Sequence, residues 1–481
     1  MRISLRLWLG LLFVGATALG TWFLLGPSLG PDARLGYYRP VHGVFTFGYD
    51  RAVLVLFVPF ALALLAWRRG ARVRLAWLVG GAVLLHLLLL FPPLPQSQDL
   101  YQYLFYGRMQ AVYHANPYLV HPSALWHDAW YPWVRWPSQT TVYGPVWTLL
   151  SFGVAKLAGS SHTLAYLYLK VVVLAMDLAV MRLVVTVARE HGGEEAAGFG
   201  LLAYAWNPLI LITVPLGGLA DVALAAGILG AMLARRRGRP GLATVLLALS
   251  SLVKIYAVPA LLLHLILLGR ERGWRPVARH AAGSVALAAI AFAPYWAGAS
   301  TFAGLLHVAT LSNRSLAGVV QRLLTPLLSA LGSSGASGAA GAVVRWFGAE
   351  ALVIAFVVAV RKVRAERDLW PAVLAILAIY VLVTPRFLYW YLVAPVAMAA
   401  AMPRNRLTDP VLTASGTILI AVHLPLKLLG QALEALARYG PPVALWARRR
   451  PRRTDGPPEP GLADTRADEP ATRGTAVTPG R

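Results

Sequence analysis

A chain of 481 residues that is 58% hydrophobic and only 13% charged is richer in apolar residues than a soluble domain, which is roughly half apolar. Its mean hydropathy of +0.61 excludes an ordinary soluble fold. The formal net charge of +24 would point to nucleic acid in a soluble protein. Here the arginines stand in short clusters between apolar runs, where they set topology and attract anionic lipid head groups, so no nucleic-acid partner is implied. With no cysteine in the chain, disulfides, thiolate metal sites and cysteine nucleophiles are excluded.

The first apolar run, Leu5 to Leu25, follows Arg2 and Arg6 and has no A-x-A cleavage site, so it is expected to be a retained span leaving the cytoplasm. Segment 52–67 returns, the cluster WRRGARVR (Trp67 to Arg74) stays inside, and 75–91 exits. That threading sets SQDLYQYLFYGRM, Ser97 to Met109, on the outer face at the head of an aromatic loop over 92–145. The next run, Val146 to Ala158, at roughly 1.5 Å per residue falls short of a hydrocarbon core about 30 Å thick. A crossing there would also place AREHGGEE and ARRRGRPG outside, so 146–158 is expected to be an interfacial helix on the outer face.

Segments 163–187, 196–214 and 218–234 then cross in turn. Gly241 to Leu268 is flanked by basic clusters on both sides, which demands an even number of passes. Two short helices are expected to meet near Lys254 to Pro259, with Lys254 at the outward tip of a broken membrane segment. Spans near 280–298, 343–361, 369–385, 387–403 and 411–430 follow, with a second outer loop over 299–342. Segment 431–447 is too polar to be read as a span, so the side on which the chain ends stays open. Residues 448–481 form a basic tail whose composition reads as disordered. The expectation is an all-α polytopic membrane protein, one domain over 1–447, with about 11–13 transmembrane helices and interfacial helices on the outer face.

On a helix, Asp99, Tyr103 and Tyr106 share one face, and Tyr101, Phe105 and Arg108 an adjoining one. An acid at the exit of a span, opening an aromatic loop on the same side as Lys254, suits a general base that deprotonates an acceptor hydroxyl. The loop goes on through Asn116-Pro117-Tyr118, the tryptophan-rich Trp126 to Trp136, and Ser138 to Pro145 with Tyr143. Such aromatic surfaces stack on sugar rings, although headgroup anchoring uses the same residues. His127 and Asp128 joining Asp99 at a metal is a weak reading of the spacing. Asp221, on the outer side, is a second acid whose simplest role is to cap a helix. Asp177 lies mid-span and needs a partner, for which Lys170 and Arg182 are the candidates. Lys254, Arg314 and Arg386 lie on the outer side, where cations hold an anionic leaving group.

Taken in order, QDLYQYLFYGRM, NPY, YGP at Tyr143 to Pro145, WNPL at Trp206 to Leu209 with Asp221 beyond it, LVK ending in Lys254, and FLYWYL at Phe387 to Leu392 form a pattern. It resembles the C-type membrane glycosyltransferases (GT-C) that use polyprenyl-phosphate sugars, and among them the bacterial alpha-1,6-mannosyltransferases. The resemblance implies a GT-C-like helical bundle that moves a hexose, most plausibly mannose, with inversion. Its partners would be a polyprenyl-phosphate-linked donor, a glycolipid or glycan acceptor, and membrane lipids. It further implies Asp99 as catalytic base, Lys254, Arg108, Arg314 and Arg386 at the donor phosphate, and Tyr103, Asn116, Tyr118, Tyr143, Asp221, Trp390 and Tyr391 at the substrates. Many members carry paired acids at the first motif, whereas Gln98 precedes Asp99 here, so a divalent metal is not favoured and no cofactor is expected. The alternatives are a polyprenyl-lipid flippase, which predicts internal repeats that the chain does not display, the same fold moving arabinose or an aminosugar, and a structural scaffold.

Overall fold

The computed structural model describes residues 4–25, 44–92, 99–311, 315–423 and 431–448. Gln98, Arg314 and the expected tail from 449 onward lie outside the described residues. Among those described, the long regular elements are all helices: α1 Leu5–Leu25, α2 Val44–Arg68, α3 Leu75–Leu88, α4 Asp99–Tyr113, α5 Pro145–Ala158 and α6 His162–Ala205. Next come α7 Pro208–Leu211, α8 Asp221–Arg236, α9 Pro240–Val253, α10 Val258–Arg272, α11 Trp274–Phe292 and α12 Ala303–Thr310. The series ends with α13 Leu316–Ala330, α14 Ala336–Lys362, α15 Glu366–Val383, α16 Val393–Ala401, α17 Thr408–His423 and α18 Gln431–Arg448. It is an all-α polytopic membrane protein.

Among the described residues, three stretches are long and apolar enough to cross a bilayer unaided, His162–Ala205, Trp274–Tyr295 and Ala336–Lys362. The pair Pro208–Leu216 and Asp221–Arg236, bent by 110°, makes a fourth if counted as one span. Other apolar helices, such as Leu75–Leu88 and Pro240–Val253, are shorter, so the eleven or more separate crossings read from hydropathy resolve into fewer long helices and several short ones. The second and third of the long stretches are barely covered by protein, with 6% and 11% of their apolar windows buried, which leaves them to face lipid. At the centre, α16 is buried along its whole length. Its run of alanines lets it pack closely against α6 and α8.

Two breaks differ from the simple threading. α6 is two helices joined at a kink, where Gly192 (φ −148°) and Gly193 (φ 63°) leave helical geometry, in agreement with the polar AREHGGEE link. The expected span 196–214 stops at Ala205 because Asn207 starts a new helix there. Its side chain accepts from Leu209 N at 3.0 Å and donates to Ser415 Oγ at 2.9 Å, with Pro208 in the first turn.

Asp177 is held by partners that sequence reasoning missed. His86 Nδ1 lies 2.6 Å from its carboxylate and the Tyr204 hydroxyl donates to it at 2.8 Å. Lys170 turns instead to backbone carbonyls.

The basic clusters converge. Arg68 pairs with Asp409 at 2.9 Å, Arg72 with Glu195, and Arg236 with Glu190 at 3.4 Å. Arg235 joins Glu271 and, at 3.6 Å, Glu366, and Arg270 donates to the Val360 carbonyl at 2.7 Å. These links tie the loops 69–74, 189–195, 236–240, 271–274 and 361–366 into one end of the bundle. The other end is marked by His162, which stacks on Trp133 at 4.2 Å and on Tyr101 at 5.7 Å. Between His162 and the kink at Gly192 the helix runs about 45 Å at its normal rise.

Candidate active site

α4 begins at Asp99 and carries two residues that clamp the aromatic loop. Gln102 exchanges two hydrogen bonds with the backbone of Trp136, at 3.0 and 3.2 Å, and the Tyr106 hydroxyl donates to the Gln139 carbonyl at 2.9 Å. The loop so held delivers Trp136 and Tyr143 to Asp99: the Trp136 indole N–H lies 3.4 Å from one carboxylate oxygen and the Tyr143 hydroxyl donates to the other at 3.1 Å. Asp99 is 8% exposed, and burial raises its pKa from the usual carboxylate range against the lowering effect of Lys254, Tyr143, Trp136 and Arg386. Tyr143 is pushed well above the ordinary phenol value by burial and by the charge of Asp99, so it remains a hydrogen-bond donor.

The YGP turn reaches the broken helix. Gly144 N–H donates to the Val253 carbonyl at 2.9 Å. A Cβ on Gly144 would stand 1.9 Å from the Leu252 carbonyl oxygen, so only glycine permits this approach. Directly after Val253 the helix stops: Lys254 adopts an extended backbone (φ −145°, ψ 128°) between α9 and α10, as the two flanking basic clusters require. Its ammonium donates to Asp221 at 2.7 Å and is ringed by Tyr391, Tyr143 and Tyr256, 5.3, 5.5 and 5.8 Å from their centroids.

Asp221 lies in the first turn of α8, but its side chain does not cap the helix, as the simplest sequence reading had it. It is spent on Lys254 and on the Tyr256 hydroxyl. Tyr256 in turn stacks on Tyr380 at 5.1 Å and meets Tyr391 at 5.7 Å. Neither Tyr256 nor Tyr380 was singled out in the sequence, since a tyrosine one helical step past a break carries no pattern of its own.

Arg386 completes the cluster. Its guanidinium lies 5.4 Å from the centroid of Trp136, the ring that also contacts Asp99, and makes no direct ion pair among the described residues. Tyr103 packs edge-on to Tyr143 at 4.7 Å and to Trp147 at 5.4 Å. Trp390 sits behind Tyr389, 4.9 Å ring to ring.

Three expected residues lie apart from Asp99. Arg108 binds both oxygens of Asp128 at 2.8 Å and covers Trp130 at 4.6 Å. It stands nine positions after Asp99 on α4, about two and a half turns, and so faces the opposite side. Asn116 accepts from Tyr118 N at 3.0 Å and donates to the Tyr295 carbonyl at 2.9 Å, while the Tyr118 hydroxyl donates to the Tyr143 carbonyl at 2.8 Å. Both therefore brace the loop carrying Tyr143. Asp128 also takes bonds from the Tyr113 hydroxyl at 2.8 Å and Trp130 N at 2.7 Å, so it does not share ligands with Asp99. Among the described residues no three His, Asp or Glu side chains converge as a metal cluster.

An all-α membrane bundle that gathers two buried carboxylates, two cations and a wall of tyrosines at one end has the make-up of a membrane group-transfer enzyme. The chain belongs to the alpha-(1->6)-mannopyranosyltransferase family, whose N-terminal-domain pattern matches residues 7–270, more than half of its length. It is accordingly a glycosyltransferase. Comparison with characterised proteins returned no match.

Proposed function

We propose that the protein transfers mannose from a polyprenyl-phosphate carrier to a glycolipid or glycan acceptor on the outer face of the membrane, with inversion at the anomeric carbon. The observation that supports this reading is a buried carboxyl, Asp99, that feels the charges of both Lys254 and Arg386. Of the two acids in the cluster, Asp221 is neutralised by an ion pair with Lys254, and Asp99, whose pKa burial raises, accepts from Trp136 and Tyr143. Asp99 is thus the group suited to take the proton of the attacking hydroxyl.

In the reaction, the acceptor oxygen forms its bond to the anomeric carbon as the bond from that carbon to the carrier's phosphate oxygen breaks. The hydroxyl proton passes to Asp99, and the carrier leaves as its phosphate. Lys254 and Arg386 stabilise that developing charge, which is worth most in a site closed to water. The tyrosine faces of 143, 256 and 391 hold the Lys254 ammonium in place and offer apolar area to a sugar ring.

A lipid carrier also needs an apolar seat beside the phosphate. A cavity of about 310 Å³ adjoins Lys254, bounded by Tyr143 and Gly144, by Leu252 and Ile255 on either side of the lysine, and by Val285 and Phe292 of the lipid-facing α11. Its outer wall suits entry from the bilayer. The outward orientation rests on the basic clusters at the opposite end, which belong in the cytoplasm.

The test is to incubate purified protein in lipid nanodiscs with radiolabelled polyprenyl-phosphate mannose and oligomannoside acceptors, and to analyse the product linkage. An alpha-1,6-linked mannosyl product is expected. Transfer from a nucleotide sugar in place of the lipid donor would contradict the reading.

A further inference from the structure

Lys170 is a buried cation that the reaction just described does not use. It lies on α6, is 1% exposed, and donates to the Leu216 carbonyl at 2.8 Å, the Leu89 carbonyl at 3.3 Å and the Pro215 carbonyl. Three acceptors match the three protons of an ammonium group. No carboxylate among the described residues forms an ion pair with it. A charge buried this way is costly, and an apolar side chain would fill the space without that cost.

What the charge secures is an irregular turn. Ile212–Leu216 is a single π-helical turn whose terminal carbonyls have no helical partners, and Lys170 supplies donors to two of them. The chain then reverses through Gly217 and Gly218 and enters α8 at Asp221. Gly218 has φ 65°, and a Cβ there would lie 2.3 Å from Leu100 Cδ1 and 3.3 Å from Lys170 Cδ. The turn therefore packs between Lys170 and the residue next to Asp99, and it ends on the acid that holds Lys254.

We propose that Lys170 is a positioning residue for the transfer reaction, acting through Asp221: it pins the 212–220 turn so that Asp221 keeps the Lys254 ammonium at the site. The inference rests on the reading that Lys254 serves the donor phosphate. A cation that merely terminated a helix would affect folding without coupling to Asp221.

The experiment is a double-mutant cycle on mannosyl transfer from polyprenyl-phosphate mannose, with Lys170→Met, Asp221→Asn and the pair together, in full-length protein in nanodiscs. Lys170→Met should lower kcat/KM for the donor ten- to a hundredfold, leaving the acceptor KM at saturating donor unchanged. In the Asp221→Asn background it should lower it less than twofold further. Should Lys170→Met fail to fold, Gly218→Ala perturbs the same turn without touching the charge, and the same loss and the same lack of additivity with Asp221→Asn are expected. Effects that multiply, or wild-type turnover in the variant that folds, overturn the positioning role alone. Wild-type turnover in Asp221→Asn removes the reading of Lys254 on which the proposal stands, and the proposal with it.

Discussion

Two acids stand within one cluster, and their surroundings separate them. Asp221 has Lys254 at 2.7 Å, whereas Asp99 accepts from Trp136 and Tyr143 and has its pKa raised by desolvation. A base must be deprotonated to act, so activity should be present above the folded pKa of Asp99 and fall as pH drops through it. The hydrogen bond from Tyr143 favours the charged carboxylate, and Tyr143→Phe removes it. The acid limb of the pH dependence of kcat/KM should then move to higher pH. A limb that stays put, or moves down, would show that another group titrates. The two cations are expected to part in the same way. Lys254→Met should weaken donor binding and also lower the unfolding temperature, because it strands a buried carboxylate at a cost of about 3–5 kcal/mol. Arg386→Met should weaken donor binding about tenfold, the low end for a hydrogen bond to a charged group, with unfolding unchanged. Equal stability in the two variants would contradict the buried pair. Asp99 and Lys254 were legible from the sequence because an acid after a span and a lysine between two basic clusters are exceptions to the apolar pattern. The pairing of Lys254 with Asp221 was not, since 33 residues separate them and only the fold of α8 against α9 brings them together.

At the level of elements, the site is assembled from breaks rather than from regular helix. α5 has 14 residues and packs along α4, and the broken pair α9 and α10 touches its start through Gly144 and Val253. Segment length together with charge parity pointed to the short α5, and charge parity to the broken pair, because a cluster of arginines on each side of a segment fixes whether it can cross once. Charge parity is silent on breaks within an apolar run. The stop at Trp206-Asn207-Pro208 and the π-turn after it carry no change of charge, and Asn207 followed by proline was read as a motif instead of a helix start. The interfacial character of α5 can be checked in this cysteine-free chain with single cysteines and a membrane-impermeant thiol reagent applied to intact cells. Gly159→Cys and Ser161→Cys should react from outside, and Gly193→Cys, about 45 Å away along α6, should not. Labelling of Gly193→Cys alone would invert the threading.

Across the whole molecule, charge and chemistry are segregated. The arginine clusters meet acids of neighbouring loops at one end, and the Asp99 cluster lies at the other, with α6 as the measure of the distance between them. This division of labour was visible in outline from the positions of the clusters along the chain. The side-chain network inside the bundle was not visible. His86, Asp177 and Tyr204 each look like an isolated polar residue in an apolar run, and their mutual satisfaction depends on how α3 and the two halves of α6 pack. The pairing of Arg108 was not legible for the same reason, since Asp128, which binds it, comes from a loop with no periodicity to read. What the molecule as a whole amounts to is a helical scaffold that shelters two carboxylates and two cations at one end. The most direct measurement is mannosyl transfer by Asp99→Asn, with binding of labelled polyprenyl-phosphate mannose followed in parallel. Loss of roughly 100- to 10,000-fold in turnover is predicted, with donor affinity close to that of the unaltered protein. Turnover at the wild-type level would contradict the account.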